Sequence, residues 1–137
     1  MSFQEFLAWK PETGRFELHD GVIVDMQPTG AHEQVVGLLN RKLNVIIDQA
    51  DLAAFIPNTA LLRPESAETG YKPDVLLINQ TGLADEPLWE RESVITLGSS
   101  VQLVVEVTST NWPDDYARKF EDYEAMGIPE YWILGAT

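Results

Sequence analysis

From Val101 to Val107 every residue is apolar except Gln102 and Glu106. A continuous run of this kind, without polar alternation, marks a strand covered on both faces, so helices must pack above and below it. Two segments can supply that cover. Gly30–Ala50 carries Val35, Val36, Leu38, Leu39, Leu43, Ile46 and Ile47 at a helical period, with Pro28 and Thr29 placed before it. Asp114–Met126 reads as a second helix, with Asn111 as its cap and Gly127 as its stop.

The remaining elements fall into place around that strand. Phe3, Phe6, Leu7 and Trp9 give a short helix that Pro11 and Gly14 close. Two apolar-rich runs flank Asp20-Gly21 between Arg15 and Met26, which predicts an antiparallel hairpin. Leu52–Leu62 reads as one strand, confined by Pro57 to an edge or a bulge, and Asp74–Ile78 as a short buried strand. Asn79–Ser100 is aperiodic, a loop with room for a small strand at Ser93–Leu97, and Tyr131–Leu134 is a last strand. The order is hairpin, helix, three strands, helix, strand. That predicts an α/β fold with a mixed sheet, in one domain spanning residues 1–137.

Composition narrows the chemistry. Cysteine is absent, which excludes disulfides, thiolate metal sites and a cysteine nucleophile and fits a reducing compartment. No run approaches the roughly 20 apolar residues of a bilayer span, and the start lacks a signal core, so a cytoplasmic protein is expected. The 22 acids stand against 9 bases, a net charge of -13. That balance argues against nucleic acid as a partner, and argues equally for carboxylates that hold divalent cations.

An ionised Glu106 inside a buried strand is costly unless something pairs with it. Either a cation meets it, or the strand end is open and an arginine does. Thr108 shares its face. Asp74 stands at the mouth of the other buried strand, where an isolated acid is most simply a turn residue. If the two strands are neighbours, Asp74 and Glu106 can converge on one hard cation such as Mg²⁺. On the last helix Trp112, Tyr116, Lys119 and Tyr123 share a side, which sets Lys119 among aromatic rings; the plainer alternative is an exposed Lys119 bonded to Asp115. Tyr116, Phe120 and Tyr123 read as core contacts. Glu17 points outward by alternation if Phe16 and Leu18 face the core. His32 opens the long helix beside Glu33, and as a lone histidine is most simply structural. A hydrolase triad lacks its pieces, and no glycine-rich phosphate loop appears.

Pro73-Asp74, then Val105-Glu106-Val107-Thr108-Ser109, then Asp115-Tyr116-Ala117-Arg118-Lys119 and Gly127-Ile128-Pro129-Glu130-Tyr131-Trp132 follow one another in an order that resembles the bacterial putative restriction endonucleases, a family of the PD-(D/E)XK nuclease superfamily. Phe16-Glu17-Leu18-His19-Asp20-Gly21 and His32-Glu33 match it too, so the likeness runs from about Arg15 to Leu134. It implies a restriction endonuclease-like core of helix, three strands, helix and strand. Asp74 and Glu106, with the backbone carbonyl of Val107, would hold Mg²⁺ or Mn²⁺ for hydrolysis of DNA phosphodiesters. Thr108 occupies the position two after Glu106 where the superfamily has lysine; Lys119 on the next helix takes that role, and Glu17 is a further acidic site residue. Related chains usually continue past the last strand, so a missing C-terminal extension and a homodimer that covers the open edge are expected. Two other readings stand beside this one: a catalytically silent structural or protein-binding module, and a phosphoesterase acting on small nucleotides.

Overall fold

The computed structural model describes residues 1–65, 68–108 and 113–135, without the side chains of residues 113–115. The predicted Asn111 cap, the placement of Trp112 and the alternative Asp115–Lys119 pair lie outside the described residues.

Helix α1 (Phe3–Trp9) is started by Ser2, whose hydroxyl accepts from the Glu5 amide while the Glu5 side chain accepts from the Ser2 amide. Strands β1 (Phe16–His19) and β2 (Val22–Asp25) form the predicted hairpin. Its turn residues Asp20 and Gly21 both have positive φ, 48° and 85°, as the Asp-Gly pair anticipates. Helix α2 (Gly30–Ala50) begins at Thr29, whose hydroxyl accepts from the His32 amide.

The main sheet is mixed, in the order β3 (Ala54–Phe55), β5 (Val75–Asn79), β7 (Val101–Thr108), β8 (Tyr131–Gly135). β5 is antiparallel to β3 and β7, whereas β7 and β8 are parallel. The sequence reading of Leu52–Leu62 as one strand is corrected: β3 joins the main sheet, and β4 (Leu61–Leu62) instead pairs with β6 (Val94–Ile95) in a separate parallel pair. Pro57 lies in the break between them, as a residue with no amide to give a ladder. The aperiodic 79–100 segment also carries the short helix α3 (Trp89–Glu92). Buried Glu86 organises this segment by accepting from the amides of Thr96 and Leu97 and the hydroxyls of Thr96 and Ser100.

Both faces of the main sheet are covered, as the apolar Val101–Val107 run requires. Val75, Leu77, Leu103, Val105 and Val107 pack with Val35, Leu39, Leu43 and Ile47 of α2. On the opposite face Leu76, Ile78 and Val104 pack with Tyr123 and Met126 of helix α4 (Pro113–Met126). Phe120 of α4 is 53% exposed, so it is not the core contact expected of it. Among the described residues no helix is long and apolar enough to cross a membrane.

Gly98 lets α4 end where it does. A Cβ there would lie 2.0 Å from the Met126 carbonyl oxygen and 2.7 Å from the Gly127 carbonyl carbon, and backbone cannot rotate away. Gly98→Ala is therefore expected to destabilise the fold by about 3 kcal/mol, the upper end of ordinary overpacking costs, as measured by urea denaturation.

Candidate active site

The antiparallel pairing of Val75 with Val105 sets Asp74, one residue before β5, beside Glu106 and Val107 of β7. The Val107 amide donates to Asp74 Oδ2 at 2.6 Å. Asp74 Oδ1 meets the Arg15 guanidinium at 2.6 Å and His32 Nε2 at 2.9 Å. Hairpin, helix α2 and central strand thus all hold one carboxylate. Arg15 also donates through its other terminal nitrogen to the Lys72 carbonyl at 2.7 Å, which ties the hairpin to the approach into β5.

Lys119 sits on α4 with its side chain 2% exposed. Its ammonium lies 3.0 Å from both Glu17 oxygens and 3.0 Å from Glu106 Oε1. The rings of Tyr71 and Tyr116 flank it, their centroids 5.3 and 5.6 Å away. The alternative of an exposed Lys119 is therefore set aside. Glu17 is fully buried, which corrects its expected outward direction. The hairpin has no solvent face at this point: Leu18 packs with Phe3 and Phe6 of α1, and Glu17 turns to Lys119.

The two carboxylates around Lys119 titrate in opposite senses. Burial raises Glu17, but the His19 hydrogen bond, the Lys119 charge and the Lys72 amide outweigh it and hold it below the usual carboxylate range. Glu106 is pushed up to about 8 by burial and by the charges of Glu17 and Asp74, which Lys119 opposes only in part. The difference follows from the partners: among the described residues Glu17 accepts from His19, Lys72 and Lys119, and Glu106 from Lys119 alone. Against the cost of burial, the two acids hold the Lys119 amine above the ordinary lysine range.

Asp74, Glu106, Val107 and Lys119 all line one open cleft of about 330 Å³, together with Arg15 and His32. Thr108 and Tyr116 line it too. Glu17 stands behind Lys119, outside the lining. Arg15 was not singled out from sequence, although it lies two residues from Glu17 on the same strand face, a spacing that points both side chains at the cluster. For His32 the local pattern held no sign of the Asp74 contact, which joins residues 42 apart.

Among the described residues no three His, Asp or Glu side chains are grouped as a ready metal cluster. Mg²⁺ asks for less, one or two carboxylates completed by water and substrate oxygens. Asp74 accepts one hydrogen bond, from the Val107 amide, and meets Arg15 and His32 as ion-pair contacts, and among the described residues Glu106 accepts only from Lys119. Three acids, Glu17, Asp74 and Glu106, meet two fixed cations, Arg15 and Lys119. Carboxyl oxygens of Asp74 and Glu106 on one cleft fit a hard divalent cation held with the Val107 carbonyl, which would also draw the raised Glu106 into its ionised form.

The chain matches the model of the Uma2 family, described as putative restriction endonuclease, over residues 3–136. Among solved structures it is similar to a putative nuclease of the DUF820 group from Anabaena variabilis, with a TM-score of 0.76 and 16% identity over 98% of this chain and 74% of that one. That likeness shows a shared restriction endonuclease-like fold. None of the curated proteins matches.

Proposed function

Because the chain belongs to the Uma2 family of putative restriction endonucleases, we propose that its cleft hydrolyses phosphodiester bonds of DNA with Mg²⁺ or Mn²⁺ held by Asp74, Glu106 and the Val107 carbonyl. The observation that carries this reading is the meeting of Asp74, Glu106 and Lys119 in one cleft, from β5, β7 and α4. When bound, such an ion supplies Lewis acidity toward a phosphoryl oxygen and toward a water.

The chain's own residues prepare that site. Arg15 and His32 fix one oxygen of Asp74, and the Val107 amide fixes the other. Lys119 keeps the buried Glu106 aligned and favours its ionised form, while Glu17 holds Lys119 from behind. Lys119 also lines the cleft, so its charge acts on negative charge that develops at a phosphate. The proposed partners are a DNA strand and a second copy of the chain. The second follows from β8, which is an edge strand of the main sheet among the described residues and bears exposed Trp132 and Ile133.

The net charge of -13 favours a second reading, a silent module without a nucleic-acid partner. Calorimetric titration with Mn²⁺ and plasmid cleavage separate the two. Wild type is expected to give binding heat and nicking that depend on Mn²⁺, and Asp74→Ala neither. A wild type without heat or nicking selects the silent module.

A further inference from the structure

Lys10 and Lys72 stand out among the nine basic residues. Arg15, Arg63, Arg118 and Lys119 each meet a carboxylate, and Arg41, Lys42 and Arg91 are exposed, whereas Lys10 and Lys72 have no ion pair among the described residues. Yet both are partly buried, and they line the same pocket of about 270 Å³, walled by Phe16 and Leu61, with Thr59 and the exposed Glu12 on its lining. Two like charges gathered in a recess are unfavourable on their own, and this chain has 22 acids from which partners could have been drawn. An anion seated between them removes the repulsion.

The pocket backs directly on the candidate active site. The Lys72 amide donates to Glu17 at 2.9 Å, its carbonyl accepts from Arg15 at 2.7 Å, and Lys72 lies two residues before Asp74. We propose that Lys10 and Lys72 form an oxyanion subsite that grips a phosphate of the nucleic-acid strand flanking the bond in the cleft. The identity of the strand rests on the nuclease reading; the binding of a phosphate group does not. A local cationic recess also answers the acidic net charge, because strand binding depends on charge where the phosphates lie.

The test uses the full chain without divalent metal, as wild type, Lys72→Arg, and the double variant Lys10→Gln with Lys72→Gln. Binding is followed for a fluorescent single-stranded oligonucleotide by anisotropy over a salt series, and for pyrophosphate by NMR of the lysine side chains. The double variant is expected to bind both about tenfold more weakly, to lose about 0.7 from the salt slope for the oligonucleotide, and to melt no lower than wild type. Lys72→Arg, which keeps the charge, is expected to retain most of the affinity. Pyrophosphate binding that needs both lysines, with no oligonucleotide binding in wild type, keeps the oxyanion subsite and sinks the DNA reading. Unchanged affinities in the double variant, or a wild type that binds neither probe, overturn the proposal whatever the cleavage assay shows.

Discussion

Glu106→Gln is expected to lower Mn²⁺-dependent DNA cleavage by about a thousandfold or more, while unfolding stability stays within about 1 kcal/mol of wild type. The two halves of that expectation have separate causes. An amide keeps the shape of the side chain but is a poor ligand for a hard cation and brings no charge. In the folded protein the substitution also removes an acid that burial already disfavours in its ionised form, at a position 2% exposed. Lys119 is not orphaned, because both Glu17 oxygens remain 3.0 Å from it. Cleavage of a labelled oligonucleotide and a thermal melt on the same sample check both halves. Near-normal cleavage would remove Glu106 from the site, and a large loss of stability would make its role structural.

How far the fold could be read in advance depended on whether each signal was local. The hairpin was legible because Asp20-Gly21 supplies two positive φ angles, and α2 because its apolar positions repeat over 21 residues between Thr29 and Asp51. The two-sided burial of β7 followed from its apolar run, in which Gln102 and Glu106 are too few to give water a face. Leu52–Leu62 failed because two-residue strands are decided by their partners, β5 and β6, and not by their own pattern. Phe120 failed for the same reason: the helical period places it on a face without saying what covers that face, and beside the Tyr131 ring, 6.3 Å away, it stays 53% exposed.

The site divides along the same line. Asp74 and Glu106 each begin or interrupt an apolar strand, so their cost was visible locally, and adjacency of β5 and β7 brings them together. Glu17 was misdirected because alternation names two faces without saying which is dry. Here both are, one against α1 and one against Lys119, a contact that spans 102 residues. The same long-range closure hid Arg15 and His32 on Asp74.

At pH 9, above the value of about 8 to which Glu106 is pushed, Lys119→Met is expected to cost about 3–5 kcal/mol and to lower the melting temperature by roughly 10–20 °C. Methionine preserves much of the apolar stem, so the loss isolates the charge. Without the ammonium, Glu17 and Glu106 face each other with side chains 0% and 2% exposed, where neither can recruit water. Glu17 keeps His19 and the Lys72 amide, but Glu106 keeps no hydrogen-bond donor among the described residues, so most of the penalty falls on Glu106. That asymmetry makes a double-mutant cycle decisive. In a Glu106→Gln background the same Lys119→Met change is expected to cost at least about 1 kcal/mol less, because one buried charge has already gone. Equal costs in both backgrounds would mean that Lys119 acts through packing alone, and its pairing with Glu106 could no longer account for how the chain tolerates an acid inside its central strand.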